Sequence, residues 1–231
     1  TGKAIGAGGQ RAVQRCCALG RAPFSDMENG LYRAWLTPAY RAAREQLAAW
    51  MVEAGMTPRT DAAANLVGRY EGSADLPPLI IGSHLDSVRD GGFYDGPLGI
   101  MLGVECVAAL SAAGRRMPFP IEVIAFGDEE GSRFPAAMLT SKAVAGLLAD
   151  VPDMSDAGGI SLATALAEYG LSAEGLAQAR HGGALAYFEA HIEQGPVLEA
   201  EGLALGVVTG IAAQLRYGMV VRGLAGHAGT S

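Results

Sequence analysis

The chain of 231 residues carries 17 Lys and Arg against 24 Asp and Glu, which gives a formal net charge of −7. This acidic balance argues against binding to nucleic acid or to an anionic membrane surface, because both need basic residues to neutralise phosphates. Half of the residues (50%) are hydrophobic and 18% are charged, which excludes a disordered chain and predicts a filled core. The 33 glycines indicate tight turns and loops that approach a ligand closely.

The cysteines and the apolar runs indicate a compartment. There are 3 cysteines, of which Cys16 and Cys17 are adjacent, so the sequence contains no disulfide framework and a reducing environment is expected. No apolar run is long enough to span a membrane, and the first residues lack an apolar signal region. We therefore expect a cytoplasmic protein that does not enter membranes.

Helix and strand patterns alternate along the chain. Apolar residues at helical spacing predict the first two helices, with Pro38 at a first turn and Gly55 as a stop. In chain order the predicted elements are helices 11–19 and 38–54, strands 65–70 and 79–81, helix 97–110, strand 121–126, helix 160–169, and strands 185–191, 203–209 and 214–222. This order predicts an α/β fold in which helices sandwich a mixed, mostly parallel sheet.

Polar residues able to do chemistry follow three of the predicted strands. His84 follows the first of them, Glu129 and Glu130 follow the second, and His191 ends the third. Asp86 is placed to orient the imidazole of His84 through its second ring nitrogen. Because ligands bind at the carboxyl edge of such sheets, we expect these side chains to lie together. Histidines and carboxylates without cysteine suit Zn²⁺, Mn²⁺ or Co²⁺.

Asp95 lies in a glycine-rich loop that runs into the next helix. A carboxylate near a helix N-terminus has a purely structural interpretation, and the acidic run 128–130 fits a solvated loop. Together with the other candidates, Asp95 can bridge two ions, with His84 and His191 on one side and Glu130 on the other. Spacing alone leaves the metal site and the structural interpretation open.

Two further histidines have less specific surroundings. His181 lies in the turn-like sequence RHGG, and we assign it no role. His227 lies between glycines where the sheet pattern has changed, so we place it in another domain, where an imidazole can stabilise an oxyanion. An exposed turn histidine explains the same residues equally well.

Five sequence blocks, in this order, resemble the allantoate amidohydrolase and N-carbamoyl-L-amino acid hydrolase family. The blocks are GSHLDS at 82–87, GG with YDGPLG within 91–99, FGDEEGSRF at 126–134, EAHIEQGP at 189–196 and GHAGT at 226–230. The resemblance covers essentially the whole chain. It implies the fold of the dinuclear zinc aminopeptidase-like hydrolases.

The resemblance also implies a role for each residue and two divalent ions, Zn²⁺ or Mn²⁺. It implies that His84 and His191 bind one ion, that Glu130 binds the second, and that Asp95 bridges the two. It further implies that Glu129 is the general base and that Asp86 orients His84. Gln194 is expected to contact the substrate, and His227 to stabilise the oxyanion in the partner subunit's active site.

The implied reaction is hydrolysis of a ureido C–N bond in a linear amide, with allantoate as the expected substrate. An N-carbamoyl-L-amino acid hydrolase, or a ureidopropionase, is the alternative. We expect residues 1–210 to form the N-terminal part of the catalytic domain, and 211–231 the first strand of an α+β lid and dimerisation domain that is truncated here. Family members are longer and supply a further histidine, so a catalytically incomplete metal-binding remnant is the alternative from another class.

Overall fold

The computed structural model describes residues 7–148, 150–212, 217–220, 222–224, 226 and 229. The helices are α1 (Ala7–Leu19), α2 (Pro38–Glu53), α3 (Pro97–Ala112), α4 (Leu139–Val144), α5 (Leu162–Tyr169), α6 (Ala173–Ala177) and α7 (Val197–Glu201). The strands are β1 (Thr57–Thr60), β2 (Leu66–Tyr70), β3 (Leu79–His84), β4 (Ile121–Phe126) and β5 (Ala186–Phe188). The chain divides into two compact units, one ending at Ile192 and the other beginning at Glu193.

Within the described residues, five strands form one sheet in the order β1-β2-β4-β3-β5. Strand β2 pairs antiparallel with both β1 and β4, whereas β3 pairs parallel with both β4 and β5. Among these strands only β2 therefore runs against the rest. This arrangement confirms the predicted mixed, mostly parallel sheet.

Helices cover both faces of the sheet, as the alternating pattern predicted. Val123 and Ala125 of β4 belong to the main core, together with buried residues of α2 and α3. Ile124 and Phe126 point to the opposite face and pack with Val144 of α4. This alternation follows from the period of two residues in a strand, and it leaves β4 buried along its whole length.

An ion-pair cluster attaches α1 to α3. Glu105 lies inside the otherwise apolar α3 and is only 8% exposed. Its carboxylate accepts hydrogen bonds from Arg11 Nη2 at 2.6 Å and from Arg15 Nη1 at 3.2 Å, both on α1. Because a buried carboxylate is costly without partners, this pairing specifies where α1 docks.

Some predicted elements differ from the structure. The strand predicted at 203–209 is wrong, because these residues are irregular and exposed. A strand needs a hydrogen-bonded neighbour, and the described residues contain none beside this segment. The strand predicted at 214–222 lies partly outside the described residues, and 217–220 are irregular. The domain boundary predicted after residue 210 stays a prediction.

No helix in the part of the chain that the structure describes combines the length and the apolar character needed to cross a bilayer.

Candidate metal centre

The register of the parallel strands brings the two candidate histidines to the same level of the sheet. Strand β3 ends at His84, which pairs with Phe126 at the end of β4. On the other side of β3, Ile81 pairs with Phe188 of β5. Extending that register by three residues places His191 beside His84. The carboxyl ends of β3, β4 and β5 therefore form one edge, where the candidate residues follow.

Three ligand atoms converge at this edge. His191 Nε2 lies 3.4 Å from His84 Nε2 and 3.2 Å from Asp95 Oδ1. His84 Nε2 lies 3.6 Å from the same Asp95 oxygen. The two imidazole rings stack, with centroids 5.6 Å apart and planes inclined by 26°. We call the side chains of His84, Asp95 and His191 the triad.

The triad has the donor chemistry and the spacing of a site for a divalent ion. Nitrogen and oxygen ligands about 2.0–2.1 Å from a tetrahedral Zn²⁺ lie about 3.3 Å from one another. The three separations in the triad, 3.2, 3.4 and 3.6 Å, fall around that value. Imidazole and carboxylate groups without cysteine also suit Mn²⁺ and Co²⁺. These residues therefore fit a divalent ion.

Backbone carbonyls hold both imidazoles in the orientation that a metal ligand needs. His84 Nδ1 lies 3.0 Å from the carbonyl oxygen of Asp86, and His191 Nδ1 lies 3.0 Å from that of Ile192. A carbonyl only accepts hydrogen bonds, so each ring carries a proton on Nδ1 and directs Nε2 at the triad. Such partners fix the ring and its tautomer.

The charges around His84 attract a cation. Burial lowers the pKa of His84, but the carboxylates of Asp86 and Asp95, with Glu129 further away, outweigh burial and raise the pKa to about 11. The Nε2 atom of His84 is therefore a strong binding point for a proton or for a metal ion.

A second group of acids lies close to the triad. Ligand atoms of His84, Glu129 and Glu130 all lie within 4.8 Å of one another. Burial raises the pKa of Glu129, and burial with the neighbouring Glu129 charge raises that of Glu130 to about 6, although His84 acts in the opposite direction. The two groups share His84, and the bridging role predicted for Asp95 stays a prediction.

Asp86 connects His84 to the acidic loop after β4. Its buried carboxylate accepts hydrogen bonds from the backbone N–H of Glu129 at 3.1 Å and of Glu130 at 3.2 Å. The same carboxylate lies 3.6 Å from His84 Nδ1, farther than the Asp86 carbonyl at 3.0 Å. Asp86 therefore orients the imidazole mainly through its backbone, while its side chain holds the two glutamates.

Two glycines allow α3 to approach the triad. Gly96 has φ of +81°, and a Cβ there would lie 2.6 Å from His84 Nδ1. A Cβ on Gly99, in the first turn of α3, would overlap the backbone oxygen of Ala190. A larger residue at either position would displace a strand end that carries a histidine.

Three buried polar residues behind the site have no signal in the sequence beyond their polar character. Arg33 Nε donates to the carbonyl oxygen of Leu85 at 2.7 Å. Asn65 Oδ1 and Thr140 Oγ1 both accept from the N–H of Gly127 at 3.1 Å. They hold in place Leu85, which follows β3, and Gly127, which follows β4. Sequence reasoning missed them because only the tertiary fold makes them neighbours.

Two predicted site residues lie outside the unit that ends at Ile192 or outside the described residues. Gln194 belongs to the compact unit that begins at Glu193 and has φ of 56°, and its contact with substrate stays a prediction. His227 lies outside the described residues. The other predicted site residues all lie in the unit that ends at Ile192.

Several known proteins are similar to this chain in sequence. The sequence model of peptidase family M20/M25/M40 matches residues 80–225. An N-carbamoyl-L-amino acid amidohydrolase of Geobacillus stearothermophilus is 44% identical over 227 residues, which cover 96% of this chain and 55% of that protein. An allantoate deiminase of Arabidopsis thaliana is 42% identical over 229 residues, covering 95% and 43%.

The solved structures agree with the sequence comparison. A hydantoinase/carbamoylase family amidase from Burkholderia ambifaria superposes with a TM-score of 0.75 at 40% identity. The superposition covers 84% of this chain and 47% of that one. The chain thus spans about half the length of the curated relatives that it matches.

Proposed function

Because the chain belongs to peptidase family M20/M25/M40, we propose that it forms the metal-binding part of an amidohydrolase that cleaves a ureido C–N bond. The observation that carries this proposal is the convergence of His84, Asp95 and His191 at separations that suit a divalent ion. The names of relatives that are 40–44% identical support the same reaction class.

Allantoate is the substrate that we propose first, in line with the allantoate deiminases of soybean and Arabidopsis thaliana among the relatives. An N-carbamoyl-L-amino acid is the second candidate, favoured by the 44% identical amidohydrolase of Geobacillus stearothermophilus. Both compounds carry a ureido group next to a carboxylate, so one centre suits either of them.

The proposed cofactor is a pair of divalent ions, Zn²⁺ or Mn²⁺. The triad would hold the first ion, while Glu130, with Asp95 as the bridge, would hold the second. When bound, such ions polarise a carbonyl oxygen and make water more acidic.

The chain's own residues supply the proton transfers in this proposal. Glu129 takes a proton from the attacking water and returns it to the leaving nitrogen, for which a raised carboxyl pKa is suited. Asp86 holds the backbone of Glu129, which keeps this carboxylate beside His84. Hydrolysis then gives an amine and carbamic acid, which breaks down to carbon dioxide and ammonia.

The proposal includes a contact between Gln194 and the substrate and a homodimer formed through a lid domain. In that dimer His227 would reach the partner's active site and stabilise the oxyanion. Sedimentation velocity of the purified protein tests the dimer, and a single monomeric species at micromolar concentration contradicts it.

Activity with defined substrates tests the function. The protein is dialysed against chelator, reloaded with Zn²⁺ or Mn²⁺, and assayed for ammonia release from allantoate and from N-carbamoyl amino acids. Turnover of allantoate alone supports the first substrate, and turnover of carbamoyl amino acids alone supports the second. Metal content without turnover of either compound would overturn the amidohydrolase proposal and favour a metal-binding remnant.

A further inference from the structure

His181 is anchored to the middle of the sheet, although its turn-like sequence indicated an exposed residue without a role. Its Nε2 atom lies 2.9 Å from Glu122 Oε2, and only 16% of its side chain is exposed. Glu122 is buried on β4, and its second oxygen accepts a hydrogen bond from Arg69 Nη1 at 2.9 Å. We call these three side chains the anchor.

The hydrogen bonds of the anchor specify which nitrogen of the His181 ring carries the proton. The backbone N–H of Gly183 donates to His181 Nδ1 at 3.1 Å, so that nitrogen is an acceptor and carries no proton. The proton is therefore on Nε2, where it is donated to Glu122. Arg69 donates to the other oxygen of this buried carboxylate, so both oxygens of Glu122 have partners.

The segment after His181 leads to the strand that precedes a ligand of the triad. Strand β5 has only three residues, Ala186–Phe188, and β3 is its partner in the described sheet. His191 follows three residues later and depends on that register to reach His84. A short edge strand is weakly held by its own ladder, so the contacts before it matter for its position.

Packing beside His181 leaves a gap. A cleft of about 150 Å³ lies beside His181, with Val67, Ile124 and Gly182 among its lining residues. Beyond this cleft, the Tyr187 ring of β5 packs against Phe126, with centroids 6.4 Å apart. Hydrogen bonds restrain the segment before β5 at three points: the His181 side chain on Glu122, the His181 N–H on the carbonyl of Val144, and the Leu185 N–H on that of Pro78.

We propose that His181 is a positioning residue: through Glu122 it holds β5 in register with β3 and so keeps His191 in the triad. The proposal rests on the metal-binding function proposed above. The anchor lies near the start of β4, whereas the metal ligands follow the carboxyl ends of the strands.

Four forms of the complete chain test this role: the unchanged protein, His181→Gln, His181→Asn and His181→Ala. A glutamine Nε2 lies as many bonds from the backbone as the histidine Nε2 and still donates to Glu122, whereas asparagine is one bond too short. Hydrogen exchange of the β5 amides is measured by mass spectrometry. Affinity for Zn²⁺ is measured by competition with a chromogenic chelator.

We expect exchange in β5 to quicken about tenfold or more in the Asn and Ala variants, with Zn²⁺ affinity about tenfold weaker, the size of effect seen for residues that support metal ligands. Gln is expected to restore both. Unchanged exchange in Asn and Ala overturns the anchor, and faster exchange with unchanged Zn²⁺ affinity overturns its link to His191. If the unchanged protein binds no Zn²⁺, the proposed function fails, while the exchange data still decide whether His181 holds β5. If Ala does not fold, Asn against Gln decides.

Discussion

The Nε2 atoms of His84 and His191 lie 3.4 Å apart, although 107 positions separate the two residues in the sequence. The parallel pairing of β5 with β3 accounts for this contact, because its register carries His191 to the level of His84. A ligand geometry of this kind depends on strand register more than on local loop structure. A slip of β5 by one residue would turn His191 away from the centre.

Removal of one triad ligand should abolish tight metal binding without unfolding the protein. We expect His191→Ala to weaken Zn²⁺ binding by on the order of 100-fold, since two ligands would remain from the triad. The side chain is 28% exposed, so the thermal midpoint in chelator should change little. Isothermal titration measures the affinity. Glu174→Gln, which removes an exposed carboxylate on α6, is the control and should bind normally. Equal affinities in both variants would exclude His191 as a ligand.

Gly96 offers a sharper test, because a glycine with a similar φ exists elsewhere. Gly96 and Gly170 both have positive φ, +81° and +88°, but only Gly96 has neighbours that a Cβ would strike. We expect Gly170→Ala to cost about 1 kcal/mol of unfolding free energy from backbone strain alone. Gly96→Ala should cost more and also weaken Zn²⁺ binding, because the added Cβ displaces the His84 ring. Urea unfolding and metal titration of both variants measure the difference; normal Zn²⁺ binding by Gly96→Ala would contradict this account.

The ligands could be predicted from sequence because they follow strand ends. His84, Glu129 and His191 each come after an apolar run, and the carboxyl edge of an α/β sheet collects such residues. The register that aligns the two histidines could not be predicted in this way. It depends on which residues of β3 and β5 pair across a long connection, and three residues of β5 carry little local signal.

The buried hydrogen bonds around the site could not be predicted from the sequence. Asn65 and Thr140 share the N–H of Gly127, and His181 lies against Glu122, because helices and loops fold over the sheet. Their local sequences resemble ordinary strand starts and turns. A polar residue reveals such a role only when its burial and its partner are known.

Metal binding should strengthen as the pH rises. With its pKa raised to about 11, His84 carries a proton at neutral pH that an incoming ion must displace. Displacement of one proton makes the apparent affinity roughly tenfold greater per pH unit below that pKa. Competition with a chelator of known proton affinity at pH 6, 7 and 8 measures the slope. An affinity for Zn²⁺ that stays constant across this range would show that no ligand proton is released.

Glu129→Gln separates chemistry from metal binding. The amide cannot accept the proton of water, so we expect turnover to fall by about 10²–10⁴-fold. The triad is unchanged, so Zn²⁺ should still bind to it with normal affinity. Turnover and metal content are measured on the same preparation. Glu168→Gln, an exposed substitution on α5, serves as the control. Activity that survives in Glu129→Gln would assign the general base to another residue.

Asp86→Asn tests whether this carboxylate acts on the imidazole or on the acidic loop. The backbone carbonyl that His84 Nδ1 contacts is unaffected, but the amide nitrogen replaces one of the two carboxylate oxygens, so the N–H of either Glu129 or Glu130 loses its acceptor. Loss of the acceptor of this partly buried N–H costs about 1 kcal/mol of unfolding free energy, and the loop should shift. We therefore expect turnover to fall about 10–100-fold, in the range of other supporting partners, while Zn²⁺ affinity falls less than about tenfold.

Asp156→Asn is the control for this variant: in a separate loop, one oxygen of its carboxylate accepts the backbone N–H groups of Gly158 and Ile160, and the other accepts from Arg133 Nε at 3.1 Å. It should lose stability without losing specific activity. Turnover and Zn²⁺ affinity that fall in parallel in Asp86→Asn would instead show that the carboxylate works through His84. The split between the two measurements therefore decides which of its two neighbours the Asp86 side chain serves.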